Sequence, residues 1–443
     1  MGTLSLLPVQ ATNLKEKKFE MNDGSRGLRC WDRPQNSEAV DLNRAMQQSF
    51  FGPQVGEPNG DFSGWESNYQ LQKETWSRAV EERTDLLAFL QNKDNWYLIP
   101  MKEPDNDRKT PQDVLSYMID FCGINPKQIV VMNHESAEGT VRRAQARGVN
   151  VIRVADVIDC LYPQLREITG IELQYGKGTA MLAGTLFLRM LTEKRLVKNI
   201  FWHDSEIVGC QAYHSLEYLA LPFVEMPGHY RMVLQAHTRR NNESVFSPRF
   251  ALDALTVRPD LFSDPKQAEY ISFMHLRLLR LVHMLAGERI LSADDMFSNP
   301  FTHCYGLETL TAVTMLGREI THPNKTVAQV VNFNQRIDGN NAVDAYRDDR
   351  YVEQLMMNSL ARVLMASLTW IGKPPHLWSL NDITSLNQLV ARLPQAVAYM
   401  PPVSGAALIK SKEADRFIPS VNQIFSENLV DVDSLYGLAS RYL

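Results

Sequence analysis

The residues best placed to do chemistry lie between Tyr175 and Ile207, in the stretch YGKGTAMLAGTLFLRMLTEKRLVKNIFWHDSEI. Two carboxylates, Asp204 and Glu206, stand in the His203-Asp204-Ser205-Glu206 end of a segment from Val197 to Trp202 that reads as a buried strand. Side chains alternate along extended backbone, so residues i and i+2 leave a strand end on the same side. Two oxygen donors there suit a hard divalent cation, Mg2+ or Mn2+, which can also hold phosphate oxygens. Asp204 and Glu206 are therefore candidate metal ligands; the competing reading is a solvated pair at a strand end. Lys177 stands between Gly176 and Gly178, a turn that lets one positive charge approach a phosphate or nucleotide. Otherwise it is a solvent-facing lysine at a helix entry. Arg239 and Arg240 come after the apolar run Met232 to Gln235, and their forked donors suit an anionic acceptor, with a solvated charge pair as the alternative.

These groups need elements to hold them. Met181, Leu182, Leu186, Met190 and Leu191 recur at helical spacing, with Thr179 as the expected start. Upstream, Trp96 to Pro100 reads as a strand and Thr110-Pro111 as a helix start, with Val114, Leu115, Met118 and Ile119 on the buried face. A strand from Gln128 to Met132, a helix from Val141 to Arg147 and a strand from Val149 to Val154 complete a β-α-β-α-β unit. Such units build a parallel sheet between helix layers and bind ligands at the carboxyl ends of the strands. The segments Met101 to Asp105, Asn133 to Thr140 and His203 to Glu206 therefore converge on one crevice.

Residues 1–92 read as an extension. Asn22 to Trp65 is rich in Gly, Asn, Pro and Ser with scattered aromatics, and Trp76, Val80, Leu87 and Leu90 mark a helix within Tyr69 to Gln91. The stripe Tyr351, Val352, Leu355, Met356, Leu360, Val363 and Leu364, with prolines at 374–375 and 401–402, points to a helical C-terminal subdomain over 345–443 that covers the crevice or makes a homodimer contact. Residues 93–344 form the central domain between them.

The chain has 443 residues and a formal net charge of −5, which gives no support to a general nucleic-acid or membrane-surface role. The five cysteines are scattered, without a C-x-x-C pair, against both a disulfide framework and a zinc site. No run approaches a membrane span, no signal sequence is visible, and Leu6 stands where myristoylation expects Ser or Thr. A cytoplasmic protein is expected.

VVMNHESAEGTVRRAQARGVNVI resembles the second strand, nucleotide-contacting loop and following helix of GT-A glycosyltransferases. The GKG turn and HDSEI, where that family usually has Asp-x-Asp, continue the likeness in order. Met284 to Arg289, Cys304 to Thr309 and Val327 to Val330 are similar to the P-L-(S/A)-G-E, G-Y-G-V-E and I-A-Q-V segments of the glucosyl-3-phosphoglycerate synthase and mannosylglycerate synthase group. The resemblance spans residues 95–340 and implies a Rossmann-like three-layer α/β/α fold with a mostly parallel sheet.

It also implies roles. Pro100 matches the proline at the first strand end, Ser136 the nucleoside contact, and Leu285 and Gly287 lie on the donor side. Glu103 is the acid left where the family has Asn-Glu-Glu and this chain has Glu103-Pro104-Asp105. Glu288 matches the glutamate near the sugar-transfer centre and is assigned a catalytic role together with Asp204; an exposed helix-end glutamate is its rival reading. His303, Tyr305 and Glu308 lie where donor and acceptor pockets meet, with Tyr305 assigned to the acceptor and His303 read as a core histidine. The group has a metal-binding histidine and then an acceptor-holding asparagine after its I-A-Q-V strand. Here no histidine follows: either Asp338 or Asn340 completes the coordination as an oxygen ligand, with Asp338 assigned to the metal and Asn340 to the acceptor, or the site runs on two carboxylates, or does not run at all. The expectation is a metal-dependent, retaining glycosyltransferase that moves a sugar from a UDP- or GDP-linked donor to a small hydroxyl acceptor of glycerate or phosphoglycerate type. A macromolecular acceptor, such as a modified nucleic-acid base, and a non-catalytic nucleotide-binding module are the alternatives.

Overall fold

A computed structural model describes residues 83–102, 110–169, 176–193, 195–205, 207, 210, 211, 214–239, 270, 273, 274, 287–304, 306–322, 325–337, 359, 362–364, 366, 367, 371–392 and 416–441. Strand β1 (Asn95–Met101) pairs in parallel with β2 (Ile129–Asn133) on one side and β4 (Asn199–Trp202) on the other, and β3 (Asn150–Arg153) extends the sheet beyond β2. On the far side come β6 (Arg289–Ser292), β5 (Tyr230–Arg239) and β8 (Thr326–Ile337), so the seven strands run in the order β3-β2-β1-β4-β6-β5-β8. Only β6 is antiparallel to its neighbours. The fold class is thus α/β, Rossmann-like and mostly parallel, as expected.

Period-two alternation decides what each face buries. Trp96, Leu98, Val130, Met132, Ile200, Trp202, Met232, Leu234 and Leu291 enter one core with the helices Lys177–Leu191 and Leu307–Thr321. Tyr97, Ile99, Ile129, Val131, Phe201, Val233 and Ile290 enter the other with the helices Thr84–Leu90 and Ser215–Glu225. Each fully buried Leu, Ile or Phe contributes about 1.5–3 kcal/mol relative to exposure. Tyr97 and Phe201, partners across β1 and β4, stack with ring centroids 4.7 Å apart, and the Tyr97 hydroxyl donates to the Leu90 carbonyl at 2.6 Å. The N-terminal helix is thereby tied to the sheet through Leu86 and Leu90, whereas Leu87 is only partly buried.

The helix expected from Thr179 starts two residues earlier, at Lys177, with Gly176 as its N-cap. The reason is contact with another segment. A Cβ at Gly178 would lie 1.9 Å from the Thr302 carbonyl oxygen, and one at Gly176 would lie 2.5 Å from the His303 oxygen. Gly176 has an extended backbone, so the glycines serve close approach rather than a sharp turn.

The described C-terminal elements bury into the first of these cores: Trp378, Ile383, Leu386, Val390, Phe417, Val421, Ile424 and Leu435 join that cluster. They include a strand as well as helices, since β9 (Phe417–Ile418) pairs antiparallel with β7 (Phe301–Thr302). No helix among the described residues is long and apolar enough to cross a membrane.

Candidate functional site

Because β1, β2 and β4 are adjacent and parallel, their carboxyl ends share one edge of the sheet. The chain leaves β1 toward β2 and β3, then returns on the opposite side of β1 as β4. That reversal is where an open α/β sheet parts into a crevice. Pro100 lies just beyond the last β1–β4 pair, Leu98 with Trp202. The Leu98 carbonyl accepts from the His203 amide and the Met101 carbonyl from the His134 amide, so the parity of the strand turns Pro100 toward the side where β4 has ended. A residue without an N–H costs the ladder nothing there.

Asp204 leaves the end of β4 on the same face as Ile200 and Trp202. The Lys177 ammonium sits 2.7 and 2.8 Å from its two oxygens and 2.8 Å from Oε1 of Glu308. Three distant segments therefore meet at one cation: the first turn of the Lys177–Leu191 helix, the end of β4, and the first turn of the Leu307–Thr321 helix. Burial works against the Lys177 charge, but the carboxylates of Asp204 and Glu308 outweigh it and hold the ammonium above the usual lysine range. The pair is not an ordinary surface salt link, since the Glu308 side chain is only 3% exposed.

Gly287 closes the cluster from just ahead of the antiparallel strand β6. A Cβ there would lie 2.1 Å from Oδ2 of Asp204, so glycine lets the carboxylate keep this position and any larger residue would push it aside. Glu288 follows, buried, with its carbonyl accepting from the Gln235 amide at 3.0 Å. Cys210 registers its side chain: burial first, then the Glu288 carboxylate, raises the Cys210 thiol above its usual range. Arg289 is fully buried, with its guanidinium carbon 4.9 Å from the centre of a Trp202 ring and Nη1 donating to the Glu308 carbonyl at 2.9 Å. Burial lowers its pKa to about 10, partly offset by Glu308, Asp204 and Glu288, and it stays a cation at neutral pH.

On the β2 side, the Ser136 hydroxyl donates to the Met101 carbonyl at 3.2 Å and its amide donates to Oδ1 of Asn133 at 3.0 Å, which joins the loops after β1 and β2. His303 belongs to the scaffold: its Nδ1 accepts from the Arg416 amide at 2.9 Å and its carbonyl accepts from Thr179. His203, which no sequence pattern marks, has Nδ1 2.9 Å from the Asp204 carbonyl oxygen and Nε2 3.3 Å from Oγ of Ser215. It fixes the backbone from which Asp204 projects; its place beside Asp204 is the only signal the sequence carries.

Glu103, Glu206, Arg240, Leu285, Tyr305, Asp338 and Asn340 lie outside the described residues, and of Arg239 only the backbone, at the end of β5, is described. Among the described residues no group of three His, Cys, Asp or Glu side chains gathers as a metal site. The donor chemistry at Asp204 nevertheless fits a hard cation. The Lys177 ammonium itself stands as a positive charge among three carboxylate oxygens.

No protein-family model and no curated protein matches the chain. Among solved structures, a mycobacterial protein overlaps it at 17% identity and a TM-score of 0.43, over 64% of this chain and 77% of that one. Glucosyl-3-phosphoglycerate synthase from Mycobacterium tuberculosis, in complex with Mn2+, UDP and phosphoglyceric acid, overlaps at 17% identity and 0.41, over 63% and 81%. The same enzyme with Mn2+, UDP-glucose and glycerol 3-phosphate gives 17% and 0.41, over 63% and 83%. At these scores the functional reading rests on this chain's own residues.

Proposed function

We propose that the protein is a metal-dependent glycosyltransferase of GT-A type that transfers a sugar from a nucleotide-diphosphate donor to a hydroxyl acceptor. The observation that carries this reading is the Lys177–Asp204–Glu308 cluster at the carboxyl edge of the sheet, beside the β1–β4 parting and against Gly287. A diphosphate leaving group needs its charge met as the glycosidic bond breaks, and a divalent cation, when bound, supplies that as a Lewis acid. Asp204 would hold the cation, with Glu206 and Asp338 as the further oxygen donors that the sequence offers.

The chain's own residues do the rest. Lys177 presents a permanent positive charge to the phosphates. Pro100, Glu103 and Ser136 line the nucleoside side, with Leu285 and Gly287 along the donor, and Glu288 steadies charge developing at the anomeric carbon. Arg239, Arg240, Tyr305 and Asn340 take the acceptor, for which the sequence resemblance favours a glycerate or phosphoglycerate and retention of configuration. A cytoplasmic enzyme, whose C-terminal part covers the crevice or makes a homodimer contact, completes the reading.

Incubation with a panel of sugar nucleotides and manganese tests it. Donor hydrolysis or transfer is expected from the natural chain, with a loss of at least about a hundredfold in Asp204→Asn, the scale at which one group acting on transition-state charge is felt. If no sugar nucleotide is bound or turned over and Asp204→Asn changes nothing, the reading fails.

A further inference from the structure

The two carboxylates that share Lys177 differ in access. Asp204 keeps 28% of its side chain exposed at the crevice, whereas Glu308 is 3% exposed. A buried carboxylate without a counter-charge is strongly disfavoured, while one at a wet edge exchanges partners at small cost. The backbone on either side of Lys177 cannot follow a moving ligand, because Gly176 and Gly178 are pressed against the carbonyls of His303 and Thr302. Any rearrangement falls to the lysine side chain, which has three donors on a flexible stem.

We propose that Lys177 is a displaceable counter-cation and Glu308 its pivot: a divalent cation takes the ammonium's place on Asp204, and Lys177, still held by Glu308, turns to a diphosphate oxygen. This rests on the nucleotide-diphosphate reading above. Glu308 is thereby a positioning residue, acting through Lys177 and held in place by its own helix turn, whose carbonyl takes the Arg289 guanidinium. In the resting protein the ammonium keeps Asp204 neutralised, so metal and lysine compete for the same oxygens.

Manganese binding to the full chain without nucleotide, followed by electron paramagnetic resonance, tests the exchange. Lys177→Met is expected to bind Mn2+ at least tenfold more tightly than the natural chain, Lys177→Arg no more tightly than the natural chain, and Asp204→Asn far more weakly. Lys177→Met binding no tighter than the natural chain would overturn the proposal. Calorimetric titration with UDP and GDP in the presence of manganese tests the pivot, with thermal melting to show each variant folded. Glu308→Gln is expected to weaken diphosphate binding at least fivefold while uridine and guanosine bind as before, and Glu308→Asp to recover part of the loss. Unchanged diphosphate binding in Glu308→Gln, or an equal loss for the nucleosides, sinks the pivot. Should the natural chain bind neither UDP nor GDP, the nucleotide reading and the pivot's phosphate half fail together, and the manganese series still decides the exchange at Asp204.

Discussion

Gly178 and Gly287 look alike in the sequence and do different work. Gly178 admits the Thr302 carbonyl against a helix, deep in the packing between the Lys177–Leu191 helix and β7, whereas Gly287 admits the carboxylate of Asp204. Gly178→Ala is therefore expected to destabilise the fold by about 1–3 kcal/mol, the usual cost of overpacking, readable in a denaturant melt. Gly287→Ala meets a side chain that can swing aside, so stability should hold while sugar-nucleotide turnover falls at least tenfold. Equal stability losses in both variants would refute the distinction. At this scale the place of Asp204 at a strand end and of Lys177 at a glycine-flanked helix start was legible, because both are local signals. The contact of Lys177 with Glu308 was not, since no pattern near either residue marks a partner so far along the chain.

The elements were easier to read where short apolar runs alternate with helical spacing. Strands β1 to β4 appear where expected, with ends shifted by a residue or two, as do the helices Thr110–Ser116 and Lys177–Leu191; the helix Glu138–Ala146 starts three residues earlier than expected, and the short helices Val154–Ile158 and Pro163–Thr169 were not foreseen. Strand β6 was missed, because four residues carry too short a period to mark a strand, and its direction was hidden with it. That direction matters: by entering the sheet at its carboxyl edge, β6 brings Gly287, just ahead of it, to Asp204. Strand β9 was also missed, as two residues carry no period. Its backbone is completed by a side chain, for Asn387 exchanges hydrogen bonds of 2.8 Å with the Phe417 amide and carbonyl and reaches the Ile168 carbonyl at 3.1 Å. Asn387→Ala should cost about 1–3 kcal/mol for the buried groups it leaves unmet, with faster amide exchange at Phe417. Exchange unchanged at that amide would show that β9 does not depend on the asparagine.

On the scale of the whole molecule, acid sensitivity has a source away from the crevice. Asp295 accepts ion pairs from Arg231 and Arg318, and His376 lies close enough to feel all three. Burial first, then the positive charges of Arg318 and Arg231, lowers the His376 pKa from 6.5 to about 3. Between those values the unfolded chain binds a proton that the folded one refuses, so stability must rise with pH and be lost as pH falls from 6.5 toward 3. His376→Gln is expected to remove close to one proton from the pH slope of unfolding in that window, measured by denaturant melts across pH. A slope identical to that of the natural chain would show that His376 takes no part.

The pairing of β7 with β9 has a consequence for biosynthesis. The carbonyls that press on Gly176 and Gly178 belong to a segment whose strand partner is translated long after it. A ribosome translating this polypeptide would thus expose Lys177 and its flanking glycines with their backing strand unpaired until Phe417 and Ile418 emerge, and the Lys177–Asp204–Glu308 cluster should settle late in the life of the nascent chain.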